Sequence, residues 1–193
     1  MKFDIITLFP EMFSAIKEEG VIARAIKKSI ISITTWQLRD FSLNKYKNVD
    51  DKSYGGGAGM VMKPEPLFSA VEEIAEDSST VIYMAPDGEK LTTPLCKELA
   101  QEKHIVVLSG HYEGVDQRVR DMHITREISI GDYVLSGGEI GAIVFCDAII
   151  RLIPGVLSDE TSALTDSFQD NLLSPPIYTR PADYNGIKVP EIL

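Results

Sequence analysis

Cysteine is scarce in this chain. Cys96 and Cys146 are the two present among 193 residues, far apart and outside any CxxC or Cys/His cluster. That argues against a disulfide framework and a structural zinc site. Histidine is almost as rare, and His104, His111 and His123 show no HExxH or other ligand spacing. His104 opens an apolar run and reads as structural. Long apolar runs are missing too: the longest, Ile140 to Cys146, stops at Asp147, far below the roughly 18 residues a bilayer span needs. The start, Met1-Lys2-Phe3-Asp4, puts an acid where a signal peptide would be apolar. No Gly-Lys-Ser/Thr follows a glycine loop and there is no GxGxxG, so ATP hydrolysis and a nicotinamide cofactor lose ground. No GxSxG elbow offers acyl transfer. These absences lead us to expect a soluble, reduced, cytoplasmic protein with no membrane association.

The composition is that of an ordinary globule, with 44% hydrophobic and 25% charged residues and a net charge of −10. The charge is uneven. Residues 1–63 carry ten basic and seven acidic side chains, whereas residues 64–193 carry nine and twenty-two. Arg24, Lys27, Lys28, Lys45, Lys47, Lys52 and Lys63 all lie in the first part. A solvated surface accounts for so small an excess; if nucleic acid is bound, phosphate contacts are expected here.

Strand-like and helix-like segments alternate. Phe3 to Phe9, Ile30 to Trp36, Val81 to Ala85 and His104 to Ser109 read as strands, the third ending at the turn signature Pro86-Asp87-Gly88. Val21 to Lys28, Pro64 to Asp77, Thr93 to Gln101 and residues 139–151 read as helices, and 124–136 as extended. This pattern predicts an α/β fold with a mostly parallel sheet and flanking helices. Residues 1–153 read as the domain, and the polar, proline-containing 154–193 as a linker-like tail.

Glycine marks three turns: Tyr54-Gly55-Gly56-Gly57-Ala58-Gly59, Gly110-His111-Tyr112-Glu113-Gly114 and Gly131 to Glu139. The second and third follow strand-like runs. Ligands in open α/β sheets bind at the carboxyl ends of strands, so these two suit a site; simple tight turns are the competing reading. Glu113, Asp132, Arg151 and Asp166 flank glycine or proline turns, and by residue type alone each reads as a surface charge or cap rather than a catalytic group.

Together these blocks are specific. Leu8-Phe9-Pro10-Glu11-Met12-Phe13, Val49-Asp50-Asp51 and Tyr54-Gly55-Gly56-Gly57 open the series. Gly110 to Asp116, Ser129 to Glu139, Ile153 to Leu157, Asp166-Ser167-Phe168 and Tyr178-Thr179-Arg180-Pro181 complete it. In order and spacing they resemble the bacterial tRNA guanine-N(1) methyltransferase (TrmD) family of the SPOUT superfamily. The resemblance implies a homodimer with its active site at the subunit interface and a deep trefoil knot in the α/β domain. It also implies bent S-adenosylmethionine in the knot loops and methylation of the tRNA guanine immediately 3′ of the anticodon. The cofactor-binding residues it points to are Tyr83, Pro86, Gly110, Tyr112, Gly114, Ile130, Gly131, Asp132, Tyr133, Val134, Leu135, Gly137 and Gly138. It gives Asp166, from the partner subunit, as general base, Arg151 as the guanidinium on the carbonyl oxygen, and Glu113 as a holder of the target base. A magnesium requirement is compatible with the family, and no ligand cluster in the sequence marks a site.

The chain departs from the family in three ways. Gly141 stands where proline is usual, and Ser174 where aspartate is usual. Relatives continue past the position of Leu193 into a helical, tRNA-gripping domain, so residues 154–193 read as the linker and the start of that domain. Two functional readings follow: an active tRNA methyltransferase, or a shortened dimeric cofactor-binding module without methylation activity. Retention of Arg151 and Asp166 favours the first. The 193-residue form is expected to bind cofactor and to bind tRNA weakly, which calorimetric titration with each ligand checks.

Overall fold

The apolar run near the amino terminus forms β1 (Lys2–Thr7), and the β-branched run after it forms β2 (Ser32–Gln37). Between them lie a 3-10 turn (Pro10–Phe13), α1 (Ser14–Glu18) and α2 (Gly20–Lys27). A second 3-10 turn (Leu38–Phe41) leads to the short antiparallel pair β3 (Asp50–Asp51) and β4 (Val61–Met62). The rest alternates: α3 (Pro64–Ile74), β5 (Thr80–Lys90), α4 (Thr93–Leu99), β6 (His104–Ser109), α5 (Gln117–His123), β7 (Arg126–Ser129) and α6 (Glu139–Ile150). The structure, a computed structural model, describes residues 1–157, 167–168 and 173–192.

Helix starts follow local chemistry. Proline occupies the first turn of α3 and of α4, where its missing N–H costs nothing. Asp116 caps α5 by accepting a hydrogen bond from the Arg118 N–H at 3.0 Å.

The five main strands pair in the order β2-β1-β6-β5-β7, all parallel. Helices cover both faces, as an all-parallel sheet requires. Alternate residues of β1 and β6 therefore face two cores. Phe3, Ile5, Ile105 and Val107 meet Phe145 and Ile149 of α6 on one side. Ile6, Val106 and Leu108 meet Leu67 and Val71 of α3 on the other. The expected parallel α/β architecture is thus observed.

Two expectations need correction. β5 does not stop at Ala85. Met84 and Glu89 both pair with Ile128, so residues 85–88 bulge out and the strand resumes to Lys90. Gly88 lets this happen, because a Cβ there would lie 2.5 Å from the Glu127 backbone. The stretch 124–136 is extended over Arg126–Ser129 alone; from 130 onward it bends away from the sheet. The tail holds a small hairpin, β8 (Asp183–Tyr184) with β9 (Ile187–Lys188). Its turn is Asn185-Gly186, both with positive φ, as a two-residue type I′ connection demands.

At the amino-terminal edge of the sheet Asp4 is fully buried. It accepts from Trp36 Nε1 at 2.8 Å, lies 2.8 Å from His104 Nε2 and 2.9 Å from Lys2 Nζ. His104 Nδ1 in turn lies 2.7 Å from Ser79 Oγ, so an imidazole donating through Nε2 and accepting through Nδ1 satisfies both neighbours. Burial pushes the Asp4 carboxyl up, but the hydrogen bonds from Trp36, Lys2 and His104 outweigh it and hold it below the ordinary value. A carboxyl lowered in the folded state stabilises fully above its unfolded value of 3.8 and loses that contribution as pH falls through the folded one. Asp4→Ala is expected to cost about 3 kcal/mol in urea unfolding at pH 7, because it strands buried partners. The gap to wild type should narrow in acid; a gap that widens below pH 4 would contradict the assignment.

Candidate functional site

The carboxyl ends of β5, β6 and β7 open on one side of the sheet, and a cavity of about 410 Å³ lies there. Three segments wall it. β5 and its bulge supply Tyr83 to Asp87, the turn after β6 supplies Gly110 to Val115, and the end of β7 with the segment after it supplies Ile128 to Gly131 and Tyr133 to Gly138. Every sequence-derived cofactor candidate except Asp132 lines this space, and so does Glu113. Asp132 instead turns outward and pairs with Lys90 Nζ at 2.8 Å.

Close backbone approach makes the cavity. The Gly138 N–H donates to Gly110 O at 2.8 Å, tying the last segment to the turn after β6. A Cβ on Gly138 would meet Gly110 N and Ser109 Cα at 2.8 Å, so a larger residue cannot fit without moving main chain. On its far side the turn is held by β4: Met62 N–H donates to Gly114 O and Asp116 N–H to Met62 O. The Glu113 N–H donates to Met60 O at 2.9 Å, and Glu113 packs against Gly59, which brings the first glycine run to the edge of the site.

The β5 wall is fixed electrostatically. Arg120 of α5 donates through Nε to Glu127 Oε1 at 2.7 Å and through Nη2 to both Glu127 Oε2 and Asp87, the latter at 2.8 Å. Its guanidinium also lies 5.6 Å from the centre of the Tyr83 ring. The hydrogen bond from Arg120 holds the Asp87 carboxyl below its ordinary value. Burial pushes the Tyr83 phenol up, so the ring acts as neutral wall.

A second buried network lies behind the turn after β6. Glu139, the first residue of α6, is 1% exposed. Its Oε1 accepts from Thr7 Oγ1 at 2.6 Å and its Oε2 lies 2.6 Å from His111 Nε2. Neither this network nor Arg120 was singled out from sequence. The available signal was an acid opening an otherwise apolar helix.

Arg151 does not line the main cavity. It caps the carboxyl end of α6, its N–H donating to Asp147 O, and borders a second cavity of about 380 Å³ with Thr93, Ser167, Phe168 and Ser174. Ser174 donates its N–H to Ser167 Oγ at 3.0 Å. Asp166 lies outside the described residues. Among the described residues no group of three or more His, Cys, Asp or Glu could hold a metal ion. Nor is any helix among them long and apolar enough to cross a membrane.

A parallel sheet with a glycine-walled cavity at the carboxyl ends of its strands defines an α/β protein whose candidate ligand site lies where such sheets hold their ligands. Comparison with known proteins narrows the class. The family model of tRNA (guanine-1)-methyltransferase TrmD matches residues 1–193, and the chain belongs to that family. It is 58% identical over 195 residues to the tRNA (guanine-N(1)-)-methyltransferase of Flavobacterium psychrophilum, spanning 100% of this chain and 87% of that one. The enzyme of the same name from Halalkalibacterium halodurans is 52% identical, with 100% and 80% spanned. The crystal structure of the tRNA (m1G37) methyltransferase from Aquifex aeolicus superposes with a TM-score of 0.83 at 41% identity, over 99% of this chain and 81% of that one.

Two glycines separate backbone crowding from loop composition. Gly138→Ala is expected to lower Tm by about 3–10 °C, the effect of roughly 1–3 kcal/mol of overpacking. Gly141→Ala, whose Cβ would meet nothing nearer than the Met84 methyl at 3.4 Å, should leave Tm within about 2 °C. Thermal melts of the two variants check this.

Proposed function

We propose that this chain transfers a methyl group from S-adenosylmethionine to the ring nitrogen N(1) of the guanine immediately 3′ of the anticodon in tRNA. The family membership carries the reaction class, and the glycine-walled cavity at the strand ends carries the site. The cavity fits the cofactor on two grounds: its volume lies within the 300–1,000 Å³ usual for such ligands, and Gly138 leaves main chain bare where a Cβ would clash. Tyr83, Pro86, Gly110, Tyr112, Gly114, the 130–135 segment, Gly137 and Gly138 are the holders in this reading. Asp132, which pairs outward with Lys90, is the weakest member of that set.

S-adenosylmethionine, when bound, supplies a methyl group on a positively charged sulfur. The chain's own residues have three tasks. They hold the guanine in line with that methyl, since alignment dominates when an existing charge is merely redistributed; Glu113, at the cavity wall, holds the base. They remove the N(1) proton, whose departure frees the attacking electron pair; Asp166 of the partner subunit is the base. They stabilise the negative charge that moves to the neighbouring carbonyl oxygen; Arg151 is the guanidinium. Arg151 reaches that oxygen in an interface site shared by two chains.

The homodimer has its own support. α6 is apolar apart from Glu139 and Asp147, yet Ile140 and Val144 on one face are exposed, as are Phe9 and Met12 at the start of and within the 3-10 turn that α6 contacts. A helix of this kind is normally covered, and a second copy would cover it. With such an interface goes the family's trefoil knot, which would bring the segments after β5, β6 and β7 to one cavity. For tRNA, Lys45, Lys47 and Lys52 are exposed in the basic first third, interleaved with exposed Tyr46 and Tyr54. Cations for phosphates and aromatic faces for unstacked bases are what such a substrate needs. Methyl transfer to tRNA places the protein in the cytoplasm.

Nucleoside analysis of tRNA after incubation with protein and S-adenosylmethionine should reveal N(1)-methylguanosine. Asp166→Asn and Arg151→Ala should each lower the rate by about 10²-fold or more while leaving cofactor affinity within about threefold. Cofactor binding with no methylated guanine from wild type would favour the non-methylating module instead.

A further inference from the structure

The Gly110–Gly114 turn carries the residues that the proposed reaction needs most, and something must fix it from within. Its Tyr112 has a positive φ of 60°, an uncommon backbone state for a residue with a side chain. Backbone hydrogen bonds from β4 hold its outer side. On its inner side His111 reaches the buried carboxylate of Glu139, which opens α6 directly after the glycines of the segment following β7. One side-chain pair therefore joins two of the three segments that wall the cavity.

Both oxygens of Glu139 are engaged: Thr7 donates its hydroxyl proton to Oε1, and Oε2 lies 2.6 Å from His111 Nε2, a ring nitrogen able to donate to it. Thr7 Oγ1 accepts in turn from the Phe9 N–H at 2.9 Å, which fixes the direction of the hydroxyl. The amino end of α6 adds favourable backbone dipoles. The Phe9 ring stands edge-on to the imidazole at 5.2 Å and holds its plane. If the turn swung away from α6, Glu139 would lose a charge-assisted bond while still buried, an expensive state. The cost is specific to movement of the turn. It does not arise from loss of core packing, since His111 itself lines the cavity.

We propose that Thr7, Glu139 and His111 are positioning residues that clamp the Gly110–Gly114 turn in its ligand-holding conformation. The proposal rests on the methyltransferase reading for the identity of the ligand. Neither His111 nor Glu139 touches the reacting atoms in that reading; both act through the main chain of the turn and through Glu113.

The test compares His111→Ala, which removes the donor, with His111→Gln, whose amide can donate to the same carboxylate. Three quantities are read for each: the calorimetric Kd for S-adenosylmethionine, the KM-against-kcat split in tRNA methylation, and Tm. His111→Ala should raise Kd and KM for the cofactor by about tenfold with kcat changed less than about threefold, as loss of one charge-assisted bond implies. His111→Gln should stay within about threefold of wild type, and both Tm values within a few degrees. Wild-type affinity in His111→Ala overturns the clamp, as does equal impairment of both variants in step with their Tm. Wild-type protein that binds cofactor but yields no N(1)-methylguanosine overturns the activity reading, and the clamp is then decided by Kd alone. Wild-type protein that binds no S-adenosylmethionine overturns both.

Discussion

The ligand-facing end of this protein depends on one main-chain contact, the hydrogen bond from Gly138 N–H to Gly110 O at 2.8 Å. It forms because both positions lack a side chain, so two segments leaving neighbouring parts of the sheet can touch backbone to backbone. The cavity is the space left between them and the β5 bulge. Its walls combine exposed main chain at the glycines with the side chains of Tyr83, Met84, Ile128, Ile130 and Leu135.

The two edges of the sheet divide the remaining work. At the amino-terminal edge the buried Asp4 and His104 form a hydrogen-bonded set with Trp36, Ser79 and Lys2. They join β1, β2, β6 and the turn before β5, and their contribution is to stability. At the carboxyl edge the charged groups are arranged around open space. Arg120 braces Tyr83 and Asp87 behind the β5 bulge, and Glu139 holds His111 behind the turn after β6. Buried polar networks of this sort cost desolvation, and they repay it by permitting few alternative arrangements. The difference between the edges is what makes one a foundation and the other a site.

Much of this was legible in the sequence, for local reasons. β6 runs from His104 to Ser109 as read, because a continuous apolar run ends on Gly110. Leu67, Val71 and Ile74 of α3 are buried as their spacing implies. Where the reading failed, a local signal had a tertiary answer. Pro86-Asp87-Gly88 has turn chemistry, but both flanks of it pair with β7, so the turn became a bulge inside a strand. The networks were beyond local pattern altogether: Thr7 and Glu139 lie 132 positions apart, and Arg120 and Asp87 lie 33 apart. The cavity residues were named through family resemblance, with the glycine-at-strand-end argument reaching two of the three walls independently. Arg151, named with them through the resemblance, borders a different cavity at the end of α6.

The account stands or falls on what occupies the cavity between Gly110 and Gly138. A crystal structure of the protein grown with S-adenosylhomocysteine, the demethylated product, tests that directly. The prediction is one ligand per chain, bent, with its polar atoms on main chain of the Gly110–Gly114 turn and the 130–138 segment, and with the Gly138–Gly110 hydrogen bond intact. Ligand bound elsewhere on the chain, with that cavity filled only by solvent, would contradict it.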